Sequence, residues 1–91
     1  MSAMPATVTV LSTSWCGVCK RLVRFLHGAG VRVLEVDLEA APDGDEIGDR
    51  IQEMTGGYRI VPTVVIEGLP WLVNPTGPQV LDALAGVAAA A

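Results

Sequence analysis

The chain opens on a two-residue period. Ala6-Thr7-Val8-Thr9-Val10-Leu11-Ser12 alternates apolar and polar side chains and is rich in β-branched types, which predicts a strand. Ser12-Thr13-Ser14 interrupts the pattern. From Cys16 the period lengthens. Val18, Leu22, Phe25 or Leu26, and Ala29 share one side, with Lys20, Arg21, Arg24 and His27 opposite. That spacing predicts an amphipathic helix, stopped by Gly28 and Gly30. Val31 to Asp37 alternates again and predicts a second strand, with Val31, Val33 and Glu35 on one side. An acidic connection runs from Leu38 to Asp43. Asp43-Gly44-Asp45-Glu46 has the form of a capping box with Asp43 as the cap, and Asp45 and Glu46 place negative charge in the first turn of a second helix. Ile47, Ile51 and Met54 are its apolar stripe, and Gly56-Gly57 ends it. A third strand is expected from Thr63 to Glu67, a tight turn at Gly68, and a fourth strand from Trp71 to Val73. Thr76-Gly77-Pro78-Gln79 is a second capping box. The last helix carries Val80 or Leu81, Leu84 and Val87, and its alanine tail is expected to fray.

The order is strand, helix, strand, helix, strand, strand, helix. The first strand–helix–strand unit requires a parallel pair joined by a right-handed crossover. The short turn at Gly68 makes the last two strands an antiparallel hairpin. The reading is an α/β chain (βαβαββα): a four-stranded mixed sheet flanked by three helices on both faces, forming one domain over residues 1–91.

Composition narrows the function. The chain is 51% hydrophobic and 18% charged with a net charge of −4, too apolar for a disordered chain and without a run long enough to span a membrane. Six basic residues on an acidic protein are too few for a phosphate-tracking surface, so no nucleic-acid partner is expected. The charge is unevenly spread. Residues 1–34 carry Lys20, Arg21, Arg24 and Arg32 and no acid, whereas residues 35–53 carry eight acids against Arg50. The first fifteen residues lack Lys and Arg and any apolar run suited to a signal peptide, so the expected location is the cytoplasm, where structural disulfides are rare.

Both cysteines sit in the basic third, at a junction of strand and helix: Trp15-Cys16-Gly17-Val18-Cys19. The N–H groups and dipole at the helix start favour a thiolate at Cys16. Cys19, three positions on, faces the same side and is able to donate an S–H bond or close a disulfide. Neighbouring cations lower the Cys16 pKa toward neutrality, Lys20 being best placed to contribute and Arg32 least. Zinc would need four ligands, and His27 is the one nitrogen donor left. No metal is expected. The acidic segment belongs to the second strand and second helix, away from the dithiol in this topology.

Three landmarks carry a family resemblance: Trp15-Cys16-Gly17-Val18-Cys19, then Gly56-Gly57-Tyr58-Arg59-Ile60-Val61-Pro62-Thr63-Val64, then Asn74-Pro75. Together they resemble the glutaredoxin branch of the thioredoxin superfamily, and more narrowly the mycoredoxins of actinobacteria, which use mycothiol in place of glutathione. The resemblance runs from about Thr7 to Leu84 and implies a thioredoxin/glutaredoxin-like fold. It implies Cys16 as nucleophile and Cys19 as resolving cysteine. It also implies Pro62 as a cis-proline beside the dithiol, and Val61 as the residue whose backbone pairs with the bound thiol. Arg59 matches a basic position that would meet a substrate carboxylate, with a solvated loop charge as the alternative. Asn74 and Pro75 match the loop bordering the thiol site, and Trp15 a rim residue covering the cysteines. Three positions depart from the pattern. Val18 replaces the usual aromatic between the cysteines, Ile60 replaces Thr, and Trp71 is bulky for the hairpin; it reads as half-buried sheet surface, or as a second aromatic wall near Pro75.

The implied activity is a monomeric thiol–disulfide oxidoreductase acting on protein–mycothiol mixed disulfides and other disulfide-containing proteins. Mycothiol is its co-substrate, no cofactor is tightly bound, and reducing equivalents come indirectly from NADPH through mycothione reductase. Two alternatives stand beside it: a dithiol electron donor reduced by thioredoxin reductase, and an iron–sulfur cluster carrier, left open by Gly17-Val18 lacking a proline.

Overall fold

The structure, a computed structural model, describes residues 7–90; Ala6, the first residue of the expected opening strand, lies outside them. The elements follow the expected order: β1 (Val8–Ser12), α1 (Gly17–Gly28), β2 (Val33–Asp37), α2 (Gly44–Thr55), β3 (Thr63–Ile66), β4 (Leu72–Val73) and α3 (Gly77–Ala90). The sheet order is β2-β1-β3-β4. β1 pairs β2 in parallel, Val8 opposite Val33 and Ser12 opposite Asp37. It pairs β3 antiparallel, Val8 opposite Ile66 and Leu11 opposite Thr63, and β3 pairs β4 antiparallel.

The periods explain the core. Val8 and Val10, two apart on β1, and Val64 and Ile66 on β3 share a sheet face with Leu22 and Leu26 of α1 and Val80 and Leu84 of α3. Leu26 rather than Phe25 is the buried member of the α1 stripe; Phe25 and Val18 are exposed. Leu11, out of phase with Val8 and Val10, turns to the other face; it and Ile51 of α2 are buried outside that cluster. No helix among the described residues is long and apolar enough to cross a membrane.

Several boundaries differ from expectation, each for a local reason. β2 starts at Val33 because the Val31 N–H donates to the Leu26 carbonyl (3.0 Å), closing α1, and the parallel pairing with β1 opens where the Arg32 carbonyl accepts from Val8 (2.9 Å). Glu35 does not join an apolar face; it is exposed and accepts from the Ser12 hydroxyl at 3.1 Å. Asp43 precedes α2 but its carboxylate makes no capping bond. Met54 is exposed, and the face α2 buries is Gly44, Gly48 and Ile51. β3 ends at Ile66 and β4 spans two residues, with Trp71 just outside it. The second capping box forms in full, the Thr76 N–H donating to Gln79 Oε1 (2.8 Å) and the Gln79 N–H to Thr76 Oγ1 (3.2 Å). α3 extends through the alanine tail to Ala90, consistent with alanine's helix propensity.

Candidate functional site

β1, an inner strand, delivers the chain to a tight turn at the end of the sheet. The Cys16 N–H donates to the Thr13 carbonyl at 3.2 Å, and Cys16 takes the N-cap position of α1 with extended dihedrals, φ −87° and ψ 101°. The cap acceptor is usually an oxygen. Here it is sulfur: Cys16 Sγ accepts the Cys19 N–H at 3.2 Å. The first turn of α1 holds no acid, so its positive end is uncompensated by side chains. Cys16 and Cys19 are joined as a disulfide with their Cα atoms 5.3 Å apart. The two cysteines are both buried but not equally: Cys19 is fully covered, while the Cys16 residue keeps 7% of its surface.

The chain returns to this point twice. The Val61–Pro62 peptide is cis, and Thr63 Oγ1 donates to the Ile60 carbonyl at 2.7 Å, tightening the approach to β3. Past β4, Asn74 adopts a left-handed φ of 50°, a conformation asparagine tolerates. Its N–H donates to the Pro62 carbonyl at 2.8 Å, continuing the β3–β4 pairing. One groove is lined by Trp15, Cys16, Val18, Arg59, Val61 and Asn74. Of the other expected site residues, Pro62 is buried beside it, and Pro75 lines an adjoining groove with Val18, Arg21, Phe25 and Gly77.

Arg59 is held. Its Nε donates to Gln52 Oε1 (3.0 Å), one terminal nitrogen to Asp45 Oδ1 (3.3 Å), and the other to Asp49 Oδ1 (2.7 Å) and the Asp45 carbonyl (3.4 Å). Hydrogen bonds to Asp49 and then Asp45 raise its pKa further above the ordinary arginine value. Its side chain remains 41% exposed and lines the Cys16 groove while α2 supplies its partners. The same face contradicts the expectation that the acidic segment lies away from the dithiol. Asp45 lines a cavity of about 400 Å³ with Thr13, Trp15, Glu39, Arg59 and Val61, and the Trp15 indole N–H donates to Glu39 Oε2 at 3.3 Å. The connection after β2 passes the end of the sheet where β1 also ends, because the two strands run parallel. That brings the acids to the cysteine turn.

Two cations flank the turn. An Arg21 terminal nitrogen lies 3.5 Å from where a Cβ on Gly17 would sit, and Lys20 lines a groove with Ser12, Thr13, Ser14, Glu35 and Asp37. Trp71 is half-buried, as expected, and Arg50 of α2 stacks on its ring, 4.1 Å from the centroid. The Arg59 seat was absent from the sequence reading, yet it had a signal. Asp45, Gly48, Asp49 and Gln52 are spaced i, i+3, i+4 and i+7, one helix face of acceptors with a gap in the middle.

The glutaredoxin family model matches residues 8–71. The chain belongs to the glutaredoxin family. Mycoredoxin 1 of Corynebacterium glutamicum is 29% identical over 83 residues, a match taking in 91% of this chain and 99% of that protein. A Mycobacterium tuberculosis protein bearing the glutaredoxin name is 35% identical over 83 residues, 91% of this chain and 95% of its own. Among solved structures, a buckwheat glutaredoxin–glutathione complex aligns with a TM-score of 0.56 at 31% identity, over 68% of this chain and 56% of that one. The chain is thus a glutaredoxin-like thiol–disulfide oxidoreductase with the thioredoxin fold.

Proposed function

We propose that this glutaredoxin reduces mixed disulfides between proteins and mycothiol in a reducing cytosol, with Cys16 as nucleophile and Cys19 as an optional resolving thiol. The observation that carries the reading is the inequality of the two sulfurs. Cys16 Sγ sits at the N-cap of α1, accepts the Cys19 N–H and borders the groove, while Cys19 is fully buried. Once the disulfide is opened, the N–H groups at the helix start, which have no carbonyl to donate to within the helix, stabilise negative charge on Cys16.

In the first step the Cys16 thiolate attacks the mycothiol sulfur of the mixed disulfide. The Cys16–mycothiol S–S bond forms, the old S–S bond breaks, and the electron pair leaves on the protein sulfur, which takes a proton. A second mycothiol thiolate then attacks the mycothiol sulfur on Cys16, releasing mycothiol disulfide and restoring the thiolate. Mycothione reductase, drawing on NADPH, returns that disulfide to two thiols. Alternatively Cys19 attacks Cys16 and expels mycothiol, giving the intramolecular disulfide observed here. Trp15, Val61, Asn74 and Pro75 border the bound thiol, Val61 through its backbone, and Pro62 packs beside the dithiol. Support for mycothiol over other small thiols comes from the near-complete overlap with Mycoredoxin 1.

The test is a coupled assay following NADPH with mycothiol and its reductase, glutathione and its reductase, or thioredoxin reductase alone. Cys16→Ser is expected to lower turnover at least about a thousandfold. Cys19→Ser keeps the monothiol route running. Coupling to thioredoxin reductase alone, or loss of activity in Cys19→Ser, would make the chain a dithiol donor instead.

A further inference from the structure

We propose that Asp45, Asp49 and Gly48 set the small-thiol specificity of the groove: they hold Arg59 against α2, where two carboxylates compete with a substrate carboxylate for its guanidinium, so the site favours uncharged, hydroxyl-rich thiols over carboxylate-bearing ones. This rests on the thiol-exchange reading and names the substrate class it serves.

Two independent features make the seat. The first is charge and hydrogen bonding. Four contacts engage the guanidinium, from Gln52, Asp49 and twice from Asp45. Two carboxylates face one cation, so the local sum is −1 before Glu39, on the far side of Trp15, is added. An isolated exposed ion pair would hold little; here several bonds fix one planar group. The second feature is shape. A Cβ on residue 48 would lie 2.8 Å from Arg59 Nε and Cζ and 2.9 Å from a terminal nitrogen. Only glycine leaves room for the guanidinium on the helix surface.

An anionic thiol entering past Trp15 therefore meets excess negative charge and a cation that two carboxylates already engage; Arg21, which makes no ion pair among the described residues, stands on the opposite flank beside Pro75. A polyol meets acceptor oxygens on Glu39 and Asp45 and an indole face that is 70% exposed. Mycothiol has a hydroxyl-rich, carboxylate-free body, whereas glutathione carries two carboxylates.

The test compares one peptide as its mixed disulfide with glutathione and with glutathione diethyl ester, taking kcat and KM separately. Gly48→Ala crowds out only the flexible end of Arg59. It is expected to lower KM for the glutathione form about three- to fivefold, the change one exposed ion pair produces. Its kcat, and its KM for the ester, stay unchanged. Asp45→Asn combined with Asp49→Asn reaches the same end by removing the partners, and adding Arg59→Gln to either variant cancels the gain. Unchanged KM values in both variants, or a gain that survives Arg59→Gln, would overturn the inference. A wild type that turns over neither form nor the mycothiol disulfide would overturn the exchange reading and take this one with it.

Discussion

The groove at Cys16 has two flanks built on different physics. On one, Val18, Arg21, Phe25, Pro75 and Gly77 meet where α1 faces the start of α3. This side is assembled by apolar packing, the Phe25 ring lying where a side chain on Gly77 would be. Its cation, Arg21, makes no ion pair among the described residues. On the other flank, Trp15, Glu39, Asp45 and Arg59 are tied by side-chain hydrogen bonds, and the cation has two carboxylates. The chain's basic third and acidic segment thus face each other across one reactive sulfur. Local potential at the dithiol follows from which charges are already partnered, not from the net −4.

The harshest way to break this comparison is to unseat α2. A Cβ on Gly44 would run into the backbone carbonyl of Leu38, and backbone, unlike the tip of Arg59, has no rotamer by which to give way. Gly44→Ala is expected to cost about 3 kcal/mol, read as a lower urea midpoint. Gly48→Ala should leave the midpoint nearly unchanged, since Arg59 can swing into solvent and alanine improves the helix. Equal midpoints for the two variants would show that the acidic flank is not docked through Gly44.

A milder comparison sets the two expected capping boxes against each other. They look alike in sequence, but only Thr76–Gln79 closes, and Asp43 makes no capping bond. Thr76→Ala is expected to cost about 1 kcal/mol. Asp43→Ala should cost under about 0.5 kcal/mol, because what remains is a screened interaction with the helix dipole. Thermal melts of the two variants, at equal salt, decide it.

The difference between those boxes shows what the sequence carried. Order, strand pairing and core periodicity were legible because each rests on local period: Val8, Val10, Val64 and Ile66 alternate as a half-buried sheet must, and Leu22 and Leu26 are one helical turn apart. The dithiol and its helix start were legible because Cys16 and Cys19 are adjacent in sequence as well as in space. The cis peptide at Pro62 entered only through family resemblance, since proline alone is compatible with trans, and the Asn74 bond to it was not anticipated at all. Long-range polar partners were not legible. Whether Arg59 meets a substrate or α2, and whether Glu39 reaches Trp15, depends on how two loops cross the end of a parallel pair. No local pattern encodes that, although the acceptor face of α2 hinted at it.

The smallest expected effect tests the basic flank itself. Arg21 lies over the turn at Gly17, next to Cys16, while Lys20 lies among Ser12, Glu35 and Asp37. Removing a nearby positive charge raises a thiol's pKa, so at neutral pH less thiolate is present and reactivity falls; well above the pKa both forms are thiolate and the difference disappears. For reduced protein, Arg21→Gln is expected to slow alkylation of Cys16 about twofold at neutral pH, the scale of one exposed charge interaction. Lys20→Gln should change it less. The gap should close as ionic strength rises from about 0.01 to 1 M, where screening lengths shrink from about 30 to 3 Å. Iodoacetamide rates against pH at the two salt concentrations measure all three effects. A larger loss from Lys20→Gln would move the working cation to the β2 side of the dithiol, and the contrast between a partnered and an unpartnered arginine would no longer explain the groove.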